Sequence, residues 1–166
     1  GAVAAGLAPP DCLACHPGTH AKWAVVAGGR IERFRTAMTG ELFGLLRKHS
    51  ILAEQIGGTA SPDGDFAVGA GEGLAGADLL SALFAIRARH LLGQPGGLGA
   101  SYASGLLVGS DVRGGLRLAD GLPLVLIGRP DLCALYAAAL DAAGRTAAHV
   151  DGTTAFLAGM RMLTEL

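Results

Sequence analysis

The stretch His16–Leu46, HPGTHAKWAVVAGGRIERFRTAMTGELFGLL, decides how the chain is read. Its first part has the pattern of a β-hairpin with the tip Pro17-Gly18-Thr19-His20. A tip of small residues leaves backbone N–H groups and one hydroxyl free to face an anion. A second tight turn falls at Gly28–Gly29, and the strand after it runs directly into a helix capped by Thr39, with Gly40 and Glu41 behind it. Strands are expected at Asp11–His16, Lys22–Ala27 and Arg30–Arg35. The helix should continue to about His49, with Leu42, Leu45 and Leu46 on its apolar face. Hairpin tip and helix start would share one rim of the sheet, an arrangement suited to phosphoryl groups.

Downstream, Gly57–Asp65 is rich in turn residues, and a helical block follows: a glycine-rich segment Phe66–Ala77, then Asp78–Leu92 with Asp78 as cap and Leu79, Leu80, Leu83 and Ile86 as its face. Pro95–Gly99 breaks the pattern. Ala100–Leu118 resumes a helix whose Ser101, Ser104, Gly105, Gly109 and Ser110 are small enough to admit another backbone or a flat ligand. The end reads as strand Leu122–Ile127, turn Gly128–Asp131, helix Leu132–Ala143 closed by Gly144, strand Thr146–Val150 and helix Thr153–Leu166. Strand–helix–strand–helix implies parallel pairing through right-handed crossovers.

The bulk properties narrow the function classes. A chain of 166 residues, 51% apolar and 16% charged, fits one globular domain with a sizeable core. A formal net charge of -1 gives no electrostatic case for nucleic acid or an anionic membrane, and 5% aromatics give no stacking platform for single strands. The long uncharged stretch His90–Ser110 is interrupted by Gly93, Gln94, Pro95, Gly96, Gly97 and Gly99, which rules it out as a membrane span. Three cysteines, an odd number, argue for a reducing compartment, so a cytoplasmic protein is expected. The first residue is Gly1, with no basic signal-peptide region after it, and the natural protein is expected to begin earlier.

Cys12-Leu13-Ala14-Cys15-His16 matches the C-x-x-C-H string of covalent haem attachment, and with His20 it mimics a zinc cluster. Its context is strand-like and runs into Pro17-Gly18, and no second cysteine pair is present, so Cys12 and Cys15 are better read as small buried apolar residues.

Three antiparallel strands followed by alternating helix and strand resemble the ribonuclease-H-like unit of the sugar kinase, Hsp70 and actin superfamily. The motifs PGTHAKW (Pro17–Trp23), FRTAMTGELF (Phe34–Phe43), Phe84–Leu92 with Arg87 and His90, SGLLVG (Ser104–Gly109), LVLIG (Leu124–Gly128), Leu132, Tyr136 and DGTTAFLAG (Asp151–Gly159) resemble the 2-dehydro-3-deoxygalactonokinase family in the same order along the chain. The resemblance is to the C-terminal lobe. It implies an α/β lobe with a mixed five-stranded sheet and a mostly helical insertion over residues 51–121. The partner in the same protein would be an N-terminal lobe carrying an Asp-x-Gly-Ser/Thr phosphate loop and the catalytic base, so no catalytic residue and no metal ligand is assigned here.

The implied reaction is ATP-dependent phosphorylation of 2-dehydro-3-deoxy-D-galactonate at its terminal hydroxyl, with Mg2+, in galactonate breakdown. Gly18, Thr19, His20 and Lys22 would meet the nucleotide phosphates, and Gly128 the adenosine side. In place of the two glycines common in the superfamily at that turn, Arg129 and Pro130 follow Gly128. Thr39 and Glu41 would meet the sugar acid, and Arg35 offers a bidentate fork for its carboxylate. The alternative is a non-catalytic nucleotide- or sugar-binding regulator on the same fold, and a homo-oligomer is left open.

Overall fold

β1 (Cys12–His16) is central and buried on both faces, with Leu13 and Cys15 on one and Cys12 on the other, and β2 (Ala21–Ala27) runs beside it. The computed structural model describes residues 1–94 and 99–164. β2 turns into β3 (Arg30–Ala37) through Gly28 and Gly29, whose φ of +55° and +77° suit the mirror-image two-residue hairpin turn. Both pairs are antiparallel, with a bulge in β2–β3 at Val25/Val26. β4 (Leu124–Gly128) and β5 (Ala147–Asp151) add parallel strands beside β1, giving one five-stranded sheet ordered β3-β2-β1-β4-β5. The mixed α/β sheet expected from the sequence is present.

Between β3 and β4 lie α1 (Thr39–His49), α2 (Gly64–Ala75), α3 (Leu79–Leu91) and α4 (Ala100–Leu116); α5 (Pro130–Ala142) joins β4 to β5, and α6 (Gly152–Thr164) follows. Leu13, Cys15, Trp23 and Val25 face α2, α4 and α5 together with Leu124 and Leu126. Cys12 and Val26 point the other way, toward Val125, Val150, Ala2, Ala8 and Ala155 of α6. A further cluster, Leu52, Ile56, Leu83, Ile86, Tyr102 and Leu106, fills the space between α3, α4 and residues 52–56.

α2 and α4 lie backbone to backbone. Gly69 and Gly73 on one helix and Gly105 and Gly109 on the other leave no room for a Cβ, which would overlap the partner's main chain at each position. The small residues of α4 therefore admit another helix.

Some local expectations need correction. Thr39 is not the helix cap: Met38 holds that position without a side-chain bond, and the Thr39 hydroxyl is buried elsewhere. Phe43 joins Leu42 and Leu46 on the packed side of α1 while Leu45 is exposed, and in α3 Ala82 packs where Leu80 does not. α5 begins at Pro130, because proline has no N–H to lose at the first helical position and its φ is already helical. That absorbs most of the expected Gly128–Asp131 turn. The Pro95–Gly99 break and the end of the last helix at Leu166 fall largely outside the described residues. Among those residues, no helix is long and apolar enough to cross a membrane.

Candidate functional site

The parallel strands β1, β4 and β5 end at His16, Gly128 and Asp151 on one edge of the sheet. β2 starts and β3 ends at that same edge, because both run antiparallel to their neighbours in the order given. Four junctions meet there: the β1–β2 tip and the starts of α1, α5 and α6. The carboxyl edge of parallel strands is where open α/β sheets bind ligands, and helix starts bring partial positive charge to it.

The tip and α1 are in direct contact. The Glu41 amide donates to the Thr19 carbonyl at 2.9 Å, satisfying one of the helix's unpaired N–H groups. Gly40 makes this approach feasible: a Cβ there would stand 2.5 Å from the Gly18 oxygen and 3.0 Å from the Thr19 Cα. Gly18 itself is different. Its φ is not positive, and a Cβ on it would meet nothing within 4 Å. Packing within this chain does not account for glycine at 18, whereas a ligand lying against the tip would. His20 Nε2 sits 2.6 Å from Glu41 Oε2 across the tip, and Lys22 Nζ donates to the His20 carbonyl at 2.9 Å.

On the far side of the tip, Gly128 abuts the start of α6, where a Cβ on Gly152 would come within 3.0 Å of the Gly128 Cα. Asp151 caps α6 by accepting from the Thr154 amide and hydroxyl, both at 2.8 Å, and these bonds hold its carboxyl below the usual carboxylate range. Arg129 and Asp131 pair with each other at the start of α5.

Two hollows flank Gly18. A cleft of about 380 Å³ runs along the edge past Thr19, Gly128, Pro130, Asp151 and Thr153. A cavity of about 220 Å³ lies between α1, α4 and α5, walled mainly by Phe43, Leu107, Val108, Leu132, Leu135 and Tyr136. Gly18 and Leu132 border both. Thr39 and Gly40 line the apolar cavity, and Arg35 and Thr39 line a third hollow of about 160 Å³ at the β3–α1 junction.

Sequence reasoning missed the group that ties these elements together. Asp111 on α4 is only 4% exposed. Its Oδ1 accepts from Trp23 Nε1 at 3.2 Å and faces the Arg35 guanidinium at 3.2 Å; its Oδ2 accepts from the Thr39 hydroxyl at 3.0 Å and the Tyr136 hydroxyl at 2.6 Å. Arg35 also donates to the Asp111 carbonyl at 3.0 Å. Burial and the Asp111 charge push the Tyr136 phenol well up, so it stays protonated and donates. Glycines again make the room: a Cβ on Gly114 would overlap Arg35, and one on Gly115 would overlap the Trp23 ring. The available signal was Asp111 itself, the lone carboxylate on an otherwise small and apolar helix.

The C-x-x-C-H string does not bring its cysteines together, although its His16 borders the edge cleft. On an extended strand, residues three apart face opposite ways, and Cys12 and Cys15 indeed belong to different clusters on opposite faces of the sheet. Among the described residues no group of three His, Cys, Asp or Glu could hold a metal ion.

Comparison with known proteins accords with this architecture. The profile of the family described as 2-keto-3-deoxy-galactonokinase matches residues 1–163. The 2-dehydro-3-deoxygalactonokinase of Escherichia coli (strain K12) is 35% identical over 164 residues, which is 97% of this chain and 56% of that protein. A Rhizobium meliloti (strain 1021) protein assigned provisionally to the same activity is 34% identical over 95% of this chain and 54% of its own length. A crystal structure of a candidate 2-dehydro-3-deoxygalactonokinase from Sinorhizobium meliloti superposes with a TM-score of 0.86 at 32% identity, covering 96% of this chain and 55% of that one. The chain spans about half the length of the curated relatives it matches. With its profile match running nearly end to end, the chain belongs to the 2-keto-3-deoxy-galactonokinase family.

Proposed function

We propose that this chain forms the C-terminal lobe of an ATP-dependent sugar-acid kinase that phosphorylates 2-dehydro-3-deoxy-D-galactonate at its terminal hydroxyl. The observation that carries the reading is the meeting of the hairpin tip with three helix starts at one sheet edge, beside an apolar cavity that shares Gly18 and Leu132 with the edge cleft. An apolar pocket opening onto oriented N–H groups suits a nucleotide: the base takes the cavity between α1, α4 and α5, and the phosphates lie along the tip. Thr19 supplies a hydroxyl there, Gly18 a close backbone approach, His20 an imidazole and Lys22 positive charge. Gly128 borders the edge cleft, across the tip from that cavity, where it leaves room for the nucleotide.

The sugar acid then lies toward the β3–α1 junction, where Glu41 accepts from a sugar hydroxyl and Arg35 faces the carboxylate. Phosphoryl transfer depends chiefly on positioning and on charge placed around the transferred group. The work of this chain is accordingly to bind and orient, and a second lobe closes the cleft, excludes water and brings the base. Magnesium accompanying the nucleotide would offset phosphate charge beside the tip, where Thr19 and Asp151 bring oxygen-bearing side chains to the edge cleft.

The test is an assay of the longer protein with ATP and the purified sugar acid. Transfer to the terminal hydroxyl supports the reading. A folded protein that binds nucleotide and sugar acid yet phosphorylates no 2-keto-3-deoxy acid refutes it in favour of a regulator. Residues 1–166 alone should bind nucleotide weakly and transfer no phosphate.

A further inference from the structure

We propose that Asp111 is a positioning residue for recognition of the sugar acid's carboxylate, acting by holding Arg35 and Thr39 in place; this rests on the kinase reading above. A buried carboxylate is expensive unless paired, and partners confined to the core would serve stability alone. The partners of Asp111 divide differently. Trp23 is a buried core group and Tyr136 walls the apolar cavity, whereas Arg35 and Thr39, with Asp111 itself, line the 160 Å³ hollow at the β3–α1 junction with Met38, Leu42 and Ser110. The Arg35 side chain keeps 30% of its surface exposed.

A guanidinium carries five N–H groups in a fixed plane. Two of its nitrogens meet Asp111, at the carboxylate and at the main-chain carbonyl, which fixes the plane of the fork and leaves N–H groups for a second anion. The ligand chemistry that fits is a small carboxylate: the outward N–H groups of Arg35, the Ser110 hydroxyl, and the apolar Met38 and Leu42 against the adjoining carbons. The Asp111 carboxylate, which also borders the hollow, is engaged by Arg35 and by the Thr39 O–H. Gly114 is part of the device, since any larger residue there would push Arg35 off α4. With Asp111 neutral, Arg35 loses its anchor and the Thr39 hydroxyl loses its acceptor charge, so discrimination for an anionic substrate should fall first.

The experiment uses the full-length protein and two substrates, the sugar acid and its neutral amide. Asp111→Asn keeps the side chain's shape and removes the charge. The acid-to-amide ratio of kcat/KM is expected to drop by roughly tenfold, through KM for the acid. Any change in KM for ATP, through Thr39 and Tyr136 at the apolar cavity, would be shared by acid and amide and would leave the ratio untouched. Arg35→Gln should produce a similar drop, and the double variant no more than the larger single effect. A purely structural Asp111 would shift acid and amide alike, so an unchanged ratio in Asp111→Asn overturns the proposal. Should that variant fail to fold, an unchanged ratio in Arg35→Gln overturns the proposal, and Asp111→Glu, which keeps the charge but moves it by one methylene, must lower the same ratio to support it. If the wild-type protein phosphorylates neither compound, the kinase reading fails, and calorimetric binding of acid against amide settles this proposal separately: equal affinity overturns it.

Discussion

Replacing Gly40 by alanine tests whether the tip and α1 act as one rigid piece. A helix interior ordinarily welcomes this change by about 0.5–1 kcal/mol, because glycine loses more backbone freedom on folding. Here the added Cβ would stand 2.5 Å from the Gly18 oxygen and 3.0 Å from the Gly18 carbon and the Thr19 Cα, all main-chain atoms that cannot rotate away. Overpacking of this kind costs about 1–3 kcal/mol, so the net loss ranges up to about 2.5 kcal/mol. For a domain of this size that lowers the thermal midpoint by up to about 10 °C.

The strain has one easier exit. Nothing stands within 4 Å of a Cβ position on Gly18, so the tip can move outward instead of the core yielding. A displacement of about 1 Å at a phosphate-positioning loop can cost on the order of 100-fold in transfer. Gly44→Ala, on the same helix but with open space around it, is the matched control and should be neutral or slightly stabilising. The assays are thermal unfolding of both variants and ATP-dependent turnover of the longer protein. Wild-type midpoint together with wild-type turnover in Gly40→Ala would refute the reasoning.

Gly109→Ala should destabilise by about 1–3 kcal/mol in a denaturant melt, since its Cβ would overlap the Ala70 main chain of α2; a neutral result would show that the two helices are not in backbone contact. Bonds from Ser61, the Phe66 amide and Ser101 lower Asp63 from 3.8 to about 2, so its contribution to stability is full above the ordinary carboxylate range and is lost as pH falls through that interval. Asp63→Asn should remove part of the acid dependence of the melting temperature between pH 5 and pH 2, and an unchanged profile would count against the cap. The three cysteines are buried, and burial, followed by nearby Asp131, pushes Cys133 up to about 11, so alkylation at pH 8 should wait for unfolding. Rapid labelling of the native protein would contradict the packing.

What could be read from the sequence follows from what is local. The Gly28–Gly29 turn and the apolar run of β4 are short-range signals, and both are where the pattern put them. The bounds of β3 were set too short because Thr36 and Ala37 look like an approach to the helix, whereas their pairing with Lys22 and Ala21 depends on the other strand. Thr39 was misread for the same reason. Thr-Gly-Glu is a fair capping signature, yet the hydroxyl's partner is 72 residues away on α4, where a buried carboxylate outweighs a solvent-exposed cap. No periodicity carries that information.

The contacts of α4 alter the standing of the helices inserted between β3 and β4. One side of α4 presents Gly105 and Gly109 to α2, and further along Gly114 and Gly115 receive Arg35 and Trp23 from the sheet. Asp111 lies between these two sets and bonds to β2, β3, α1 and α5. A helix that only covered the core would not need so many close approaches, each maintained by a residue that weakens the helix itself. The insertion is therefore joined to the sheet at the residues that border the candidate site. Loosening α2 against α4 should consequently be felt at Thr39 and Arg35, through Asp111, before the sheet itself is disturbed.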